Sequence, residues 1–306
     1  MISDIKPLGE QSFDEILAKL EEIEGPESAR SFAGEEKAER LGLEGVRSRK
    51  PWLNTQHQYG FVPRFTPGAE RHHKIVSASN IHADETLKSK RINIKLDYLH
   101  VHSYPTPLIN LGTNIHTILF SFEARNQVQG NSEAVAFNQT YEARSGQDAA
   151  VTGYPIFIGL TASPNGVAFS CRTVNVNNST DQQLVKAINS ETVTAGLSLL
   201  TTTQPALAPF VDVARALCVS LANHSKNAPV QKFVLGLDFD TGTAGARLAV
   251  GNYVVAQVAR ADEINWSDWK FDSETGTVVR INLAEGETPY SLPYNAIVFR
   301  VSPYAE

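Results

Sequence analysis

"RINIKLDYLHVH" occupies residues 91–102 and sets the period of most of the chain. Ile92, Ile94, Leu96, Tyr98 and His100 fall on one side of it, and Asn93, Lys95, Asp97, Leu99 and Val101 on the other. A two-residue period belongs to a strand, whose successive side chains point to opposite faces. The pattern recurs in "IHTILFSFEAR" (115–125), "EAVAFNQTYEAR" (133–144), "YPIFIGLTA" (154–162) and "GVAFSCRTVNV" (166–176). It resumes in "VQKFVLGLDF", "ARLAVGNYVVAQVA", "TVVRINL" and "NAIVFRVS". Short turns separate the strands, and Pro164-Asn165-Gly166 reads as a hairpin turn. About nine strands with short connections predict a mainly β chain, an antiparallel β-sandwich over 91–306.

One helical insertion, 180–225, interrupts the strands. Thr180 stands as N-cap with Gln183 completing a capping box. Beyond it, Phe210, Val213, Ala214, Leu217, Cys218 and Leu221 recur at helical spacing, and Pro209 suits a first turn.

Upstream of residue 91 the period is lost. Residues 51–90 carry Trp52, Tyr59, Phe61 and Phe65 among prolines and glycines and read as an irregular connector. Residues 1–50 read as a helical arm. Ser12 and Glu15 form a capping box, and Phe13, Ile16, Leu17, Leu20 and Ile23 share one helical face until Gly25-Pro26 stops it. So short a helix is marginal alone. Phe13, Ile16, Leu17 and Leu20 are therefore expected to dock on the body or on a second copy.

The chain has 306 residues and a net charge of −6. Within 1–50, twelve acids face eight bases, and within 64–95 seven Lys/Arg face three acids. Arm and connector thus carry opposite charge, and the arm is the simpler partner for the Lys88, Lys90, Arg91 cluster. The acidic overall balance argues against nucleic acid as a partner. No window approaches a bilayer-spanning apolar length, although peripheral membrane contact stays open. No apolar run follows Met1, and Cys171 and Cys218 stand far apart in apolar contexts; the expectation is a soluble, cytoplasmic chain with reduced thiols.

"FVLGLDFDTGTAGARLAV" (233–250) holds the one motif with a chemical resonance. Asp240-Thr241-Gly242 after an apolar strand is the wording of an aspartic-protease loop, which needs two carboxylates sharing a proton. Only one such triplet is present, and the stretch reads as a hairpin whose glycines make the turn. Asp238 and Asp240, with Asp268, could alternatively hold Ca²⁺ at a loop tip. His100 and His102 share one side of a strand, and His116 could join them around a catalytic metal. Cys171 with His224 is a further nucleophile–base pair to weigh.

No complete catalytic constellation emerges, so the first expectation is a non-enzymatic binding or assembly protein without a cofactor. It would engage a protein partner or itself through the arm. The alternatives are a Ca²⁺-dependent surface- or lipid-binding sandwich, and a metal-dependent or aspartic hydrolase.

Overall fold

The computed structural model describes residues 5–40, 50–66, 68, 70–107, 115–128, 131–149, 151, 153–177, 179–181, 184–185, 208–240, 245–280 and 290–305. Its strands are β1 (Gln56–Pro63), β2 (His72–Lys74), β3 (Val76–Ser77), β4 (Arg91–Val101), β5 (Ile115–Val128), β6 (Asn131–Arg144), β7 (Gln147–Asp148) and β8 (Tyr154–Thr161). They continue with β9 (Gly166–Asn175), β10 (Ala228–Asp238), β11 (Ala246–Arg247), β12 (Gly251–Val258), β13 (Trp269–Asp272), β14 (Thr277–Arg280), β15 (Tyr290–Ser291) and β16 (Ala296–Pro303). The helices are α1 (Phe13–Glu24), α2 (Pro26–Arg40) and α3 (Ala208–Asn223). The expected β-sandwich with helical additions is what the chain forms.

A central seven-stranded sheet runs β3-β1-β12-β16-β4-β7, with β8 also on β4. On one face lies a five-stranded sheet, β11-β10-β9-β5-β6, and the two enclose the main core. On the other face lies a four-stranded sheet, β15-β14-β13-β2. The body is therefore three sheets deep. Tyr253, Val255, Ile297 and Phe299 face the five-stranded side, while their neighbours Val254, Ala256, Ala296 and Val298 face the small sheet. Every residue of β12 is buried, as expected of a strand covered on both sides.

Two turns differ from the sequence reading. Pro164-Asn165-Gly166 joins β8 of the central sheet to β9 of the five-stranded sheet, with one isolated bridge, Ser163 to Gly166. It is a corner between layers, not a hairpin. Likewise β10 does not fold back on the strand that follows: β11 runs parallel to β10 for two residues, and β12 belongs to the central sheet. Thr241–Ala244 lie outside the described residues.

The connector also carries more order than expected. β1 pairs with β12 over its whole length, from Gln56 opposite Val258 to Pro63 opposite Gly251.

A bulge breaks the alternation of β4. Tyr98 lies opposite Val298 and Leu96 opposite Phe299, so Asp97 has no partner of its own. Ile92, Ile94 and Leu96 face the main core, and beyond the bulge Leu99 and Val101 take that side while Tyr98 turns to the small sheet. The expected placing of Tyr98 and His100 beside Ile92, Ile94 and Leu96 fails at this one residue. Bulges re-aim side chains in this way.

The arm is folded onto the body. The Ser12–Glu15 capping box forms, with the Ser12 amide donating to Glu15 Oε2 at 2.8 Å. Ile16, Leu20 and Ile23 are buried in the main core, with Phe13 and Leu17 packed against it. The Phe13 and Phe32 rings stack at 6.0 Å, and Lys50 Nζ lies over Phe32 and Trp52. Thr106 donates its amide to Glu24 Oε1 at 3.1 Å. Helix α3 covers the outer face of the five-stranded sheet through Cys218, Leu221 and Ala222 against Leu119 and Val174. Among the described residues no helix is long and apolar enough to cross a membrane.

Candidate functional site: a cleft between the central and small sheets

The bulge at Asp97 turns a carboxylate into the space between the central and small sheets. Asn252 on β12 and Arg300 on β16 face each other across the ladder, and Asp97 projects beside them from β4. Asp97 Oδ1 accepts from Arg300 Nη2 at 2.9 Å and from the Gly153 amide at 3.1 Å. Oδ2 accepts from Asn252 Nδ2 at 2.7 Å. Asp97 is 6% exposed, whereas the Arg300 side chain is 42% exposed. Burial pushes the Asp97 carboxyl above its ordinary value, and Arg300, Asn252 and Gly153 only partly offset this.

The opposite wall is the β13–β14 hairpin. Asp272 Oδ1 accepts the Glu274 and Thr275 amides at 3.0 and 3.3 Å, closing the turn. Gly276, at φ 74°, completes it, and its amide donates to the Asp272 carbonyl at 2.8 Å. Asp272 Oδ2 receives Arg71 Nε at 3.0 Å and Nη2 at 2.8 Å, and Arg71 Nη1 reaches Glu274 at 2.9 Å. Burial alone would raise the Asp272 carboxyl; the hydrogen bonds from Arg71 and the turn amides outweigh it and hold the group below the usual carboxylate range. Phe65, stacked on His73 at 3.9 Å, and Phe271 add an apolar flank. Together these walls line a half-open cleft of about 410 Å³, within the range of small-molecule sites.

Asp238 and Asp240 line a different, open depression of about 480 Å³ with Glu85, Lys88 and Phe239. Asp268 does not join them. It ends a 3₁₀ turn (Trp266–Asp268) beside the small sheet, on the far side of the central sheet, with Arg280 at 3.9 Å. The histidine trio is not assembled either. His100 is stacked on Tyr98 at 5.6 Å on the small-sheet side, and His102 stands 6.3 Å from it. His116 lies in the five-stranded sheet, 2.8 Å from Ser145 Oγ and 3.2 Å from Asn175 Nδ2. Among the described residues no three His, Cys, Asp or Glu side chains converge as a metal cluster.

Cys171 is fully buried, which pushes its thiol well up, away from the thiolate a nucleophile needs. His224 turns instead to Asp181, with Nδ1 2.6 Å from Oδ1, while Nε2 lies 3.4 Å from Ser220 Oγ. Acid, imidazole and hydroxyl follow one another as in a catalytic triad, but the surrounding bonds tie off a helix end. Asn227 donates to Asp181 and to the Leu221 carbonyl, and Lys19 donates to the His224 carbonyl. An acyl-transfer site also needs donors placed where an oxyanion develops.

Of the Lys88, Lys90, Arg91 cluster expected to meet the acidic arm, Lys88 meets Glu85 at 3.6 Å, while Arg91 lies over the Tyr304 ring at 3.9 Å and donates to the Gly159 carbonyl at 3.3 Å. The cleft residues Asp97, Asn252 and Arg300 were not singled out from sequence. Their one local signal is the phase break after Leu96, where Tyr98, Leu99, His100 and Val101 follow without a clean alternation. Comparison with protein-family models, with curated proteins and with solved structures found no match for this chain.

Proposed function

We propose that the chain is a non-enzymatic binding protein whose ligand enters the cleft between the central and small sheets. The observation that carries this reading is the convergence of Asp97, Asn252 and Arg300 from three neighbouring strands on one half-open cleft. Binding sites are recognised as concave spaces with a few converging polar groups on an apolar setting. A buried carboxylate raised above its ordinary value is a cost that packing does not require, and such groups concentrate at functional sites.

Binding of a protein partner or a second copy through Phe13, Ile16, Leu17 and Leu20 belongs to the same class of function. It would require α1 to leave its own groove, because these side chains already pack against the body. Two free, buried cysteines fit a reducing compartment such as the cytoplasm.

The cleft reading is tested by ligand-observed NMR with a mixed set of sugars, nucleosides, amino acids and organic acids, on wild type and Arg300→Glu. The substituted carboxylate would remove the guanidinium donors and set a like charge beside Asp97, disrupting the site. Compounds that bind wild type and not the variant are expected. If every binder is kept by a folded Arg300→Glu protein, the cleft is not the site.

A further inference from the structure

We infer that one end of the main core, beside Asn54, is a hydrated layer in which internal water binds the side-chain amides of Asn175 and Gln231. This layer is independent of the cleft, which lies on the other face of the central sheet. Most of the main core is apolar, with Phe122, Phe169, Tyr253 and Phe299 packed ring on ring. At this end the inward positions turn polar on both sheets. Gln257 and Asn295 come from the central sheet, and Thr173, Asn175, Gln231 and His116 from the five-stranded sheet, each at most 1% exposed.

Half of this layer is complete. A bulge in β10 between Pro229 and Gln231 leaves Val230 without a partner on β9. Its carbonyl receives Gln257 Nε2 at 3.1 Å, and the same nitrogen donates to the Asn54 carbonyl at 2.6 Å. Gln257 Oε1 accepts Asn295 Nδ2 at 2.9 Å, and Asn295 Oδ1 accepts the Ser103 amide at 3.1 Å. Both ends of both amides are engaged.

The other half is not complete. Asn175 Nδ2 donates to the Pro105 carbonyl at 2.8 Å, and a carbonyl only accepts, so this amide cannot be turned over. His116 Nδ1, 3.2 Å from the same nitrogen, is therefore the acceptor, and its Nε2 donates to Ser145 Oγ at 2.8 Å. Asn175 Oδ1 is left with no hydrogen-bond partner among the described residues. Gln231 Nε2 lies 3.2 Å from the Tyr104 hydroxyl, itself 3.0 Å from Thr173 Oγ1, and Gln231 Oε1 has no partner among the described residues either. Turning the Gln231 amide over would only exchange an orphaned oxygen for an orphaned nitrogen. The two amides are neighbours: Gln231 lies opposite Thr173, and Asn175 is two residues further along β9. A buried polar group without a partner is costly and rare. Two of them on one inner face call for an occupant that fits a buried site, donates to Asn175 Oδ1 and meets whichever end Gln231 presents. Water both donates and accepts, and buried polar sites are where internal water is found.

The experiment pairs a high-resolution crystal structure of the full chain with magnetic relaxation dispersion of water oxygen in solution, which counts long-lived internal water. The dispersion is compared with that of a double variant, Asn175→Leu with Gln231→Met, whose side chains keep their approximate size and lose the amides. Water density is expected about 2.7–3.2 Å from Asn175 Oδ1 and from the free end of the Gln231 amide. The dispersion amplitude of the folded variant should fall by at least one internal water molecule. Density showing both amide ends packed only against carbon, or paired directly with each other, would overturn the inference. So would an unchanged amplitude in the folded variant. Where the variant does not fold, the wild-type density decides by itself.

Discussion

Phe299→Ala is expected to destabilise the protein by about 3–5 kcal/mol, the usual cost of removing a fully buried phenyl ring. The ring is completely buried, stacked on Tyr253 at 5.3 Å, with Phe122 and Phe169 edge-on at 5.6 and 5.8 Å. No local rearrangement can fill that volume from both sheets at once. The informative companion is the preceding residue. Val298 points the opposite way, into the layer formed with Tyr98, Trp269 and Phe271. Val298→Ala should therefore also cost about 2 kcal/mol. A two-layer sandwich would leave one of the pair facing water, where substitutions fall within about 0.5 kcal/mol. Urea unfolding of both variants measures this, and a near-neutral Val298→Ala would remove the third layer.

Acid sensitivity supplies the second large effect. His57 lies on β1 opposite Gln257, with its ring 5.0 Å from Phe233. Its Nε2 is shielded and has no hydrogen-bond partner among the described residues. Burial pushes its pKa down to about 3 from an ordinary 6.5. A lowered folded-state pKa means stability that is whole above pH 6.5 and lost as pH falls toward 3, because the unfolded chain takes the proton more readily. Between pH 7 and pH 4 this amounts to about 3 kcal/mol, at roughly 1.4 kcal/mol per pH unit below the unfolded value. His57→Phe keeps a ring beside Phe233 and carries no proton. Its unfolding free energy should fall less than wild type over that interval, by about the same 3 kcal/mol. Parallel pH profiles for the two proteins would show that His57 is not the acid-labile group. Asp272, held low, loses its contribution on acidification as well, and the comparison of two proteins cancels that term.

Much of this architecture is written locally. The α1 capping box and the alternation of β5 and β9 are decided by neighbours a few residues apart and form as read; α3 forms too, with Ala214, Cys218 and Leu221 buried as read but Val213 left exposed. What is not local is less legible. Glycine-bearing turns at 164–166 and 240–245 satisfy the same backbone demands whether the next strand returns beside its predecessor or crosses to another sheet. Gly166 illustrates the tightness of such a corner: at φ 130°, a Cβ there would lie 2.1 Å from the Leu237 carbonyl oxygen. The third layer had a signal in "YVVA" (253–256), where apolar residues occupy both faces, as doubly covered strands require. The candidate site was hidden for a different reason. Asp97, Asn252 and Arg300 are separated by up to 203 residues and meet only through strand pairing and one bulge. The aspartates and histidines that did stand out are close in sequence or type but lie in different layers.

On the cleft proposal, the buried Asp97 carboxyl serves binding at a cost to folding. A folded-state pKa raised by burial means that the charged form is disfavoured above that value and relieved as pH falls toward the unfolded one. Asp97→Asn keeps the shape and removes the charge, and Arg300, partly exposed, can be solvated in its absence. The direct measurement is the urea midpoint of Asp97→Asn against wild type at pH 7. A midpoint equal to or above wild type, with any advantage shrinking toward acid pH, is the predicted result. A clearly lower midpoint at pH 7 would show that the carboxylate is a structural ion pair and contradict the account.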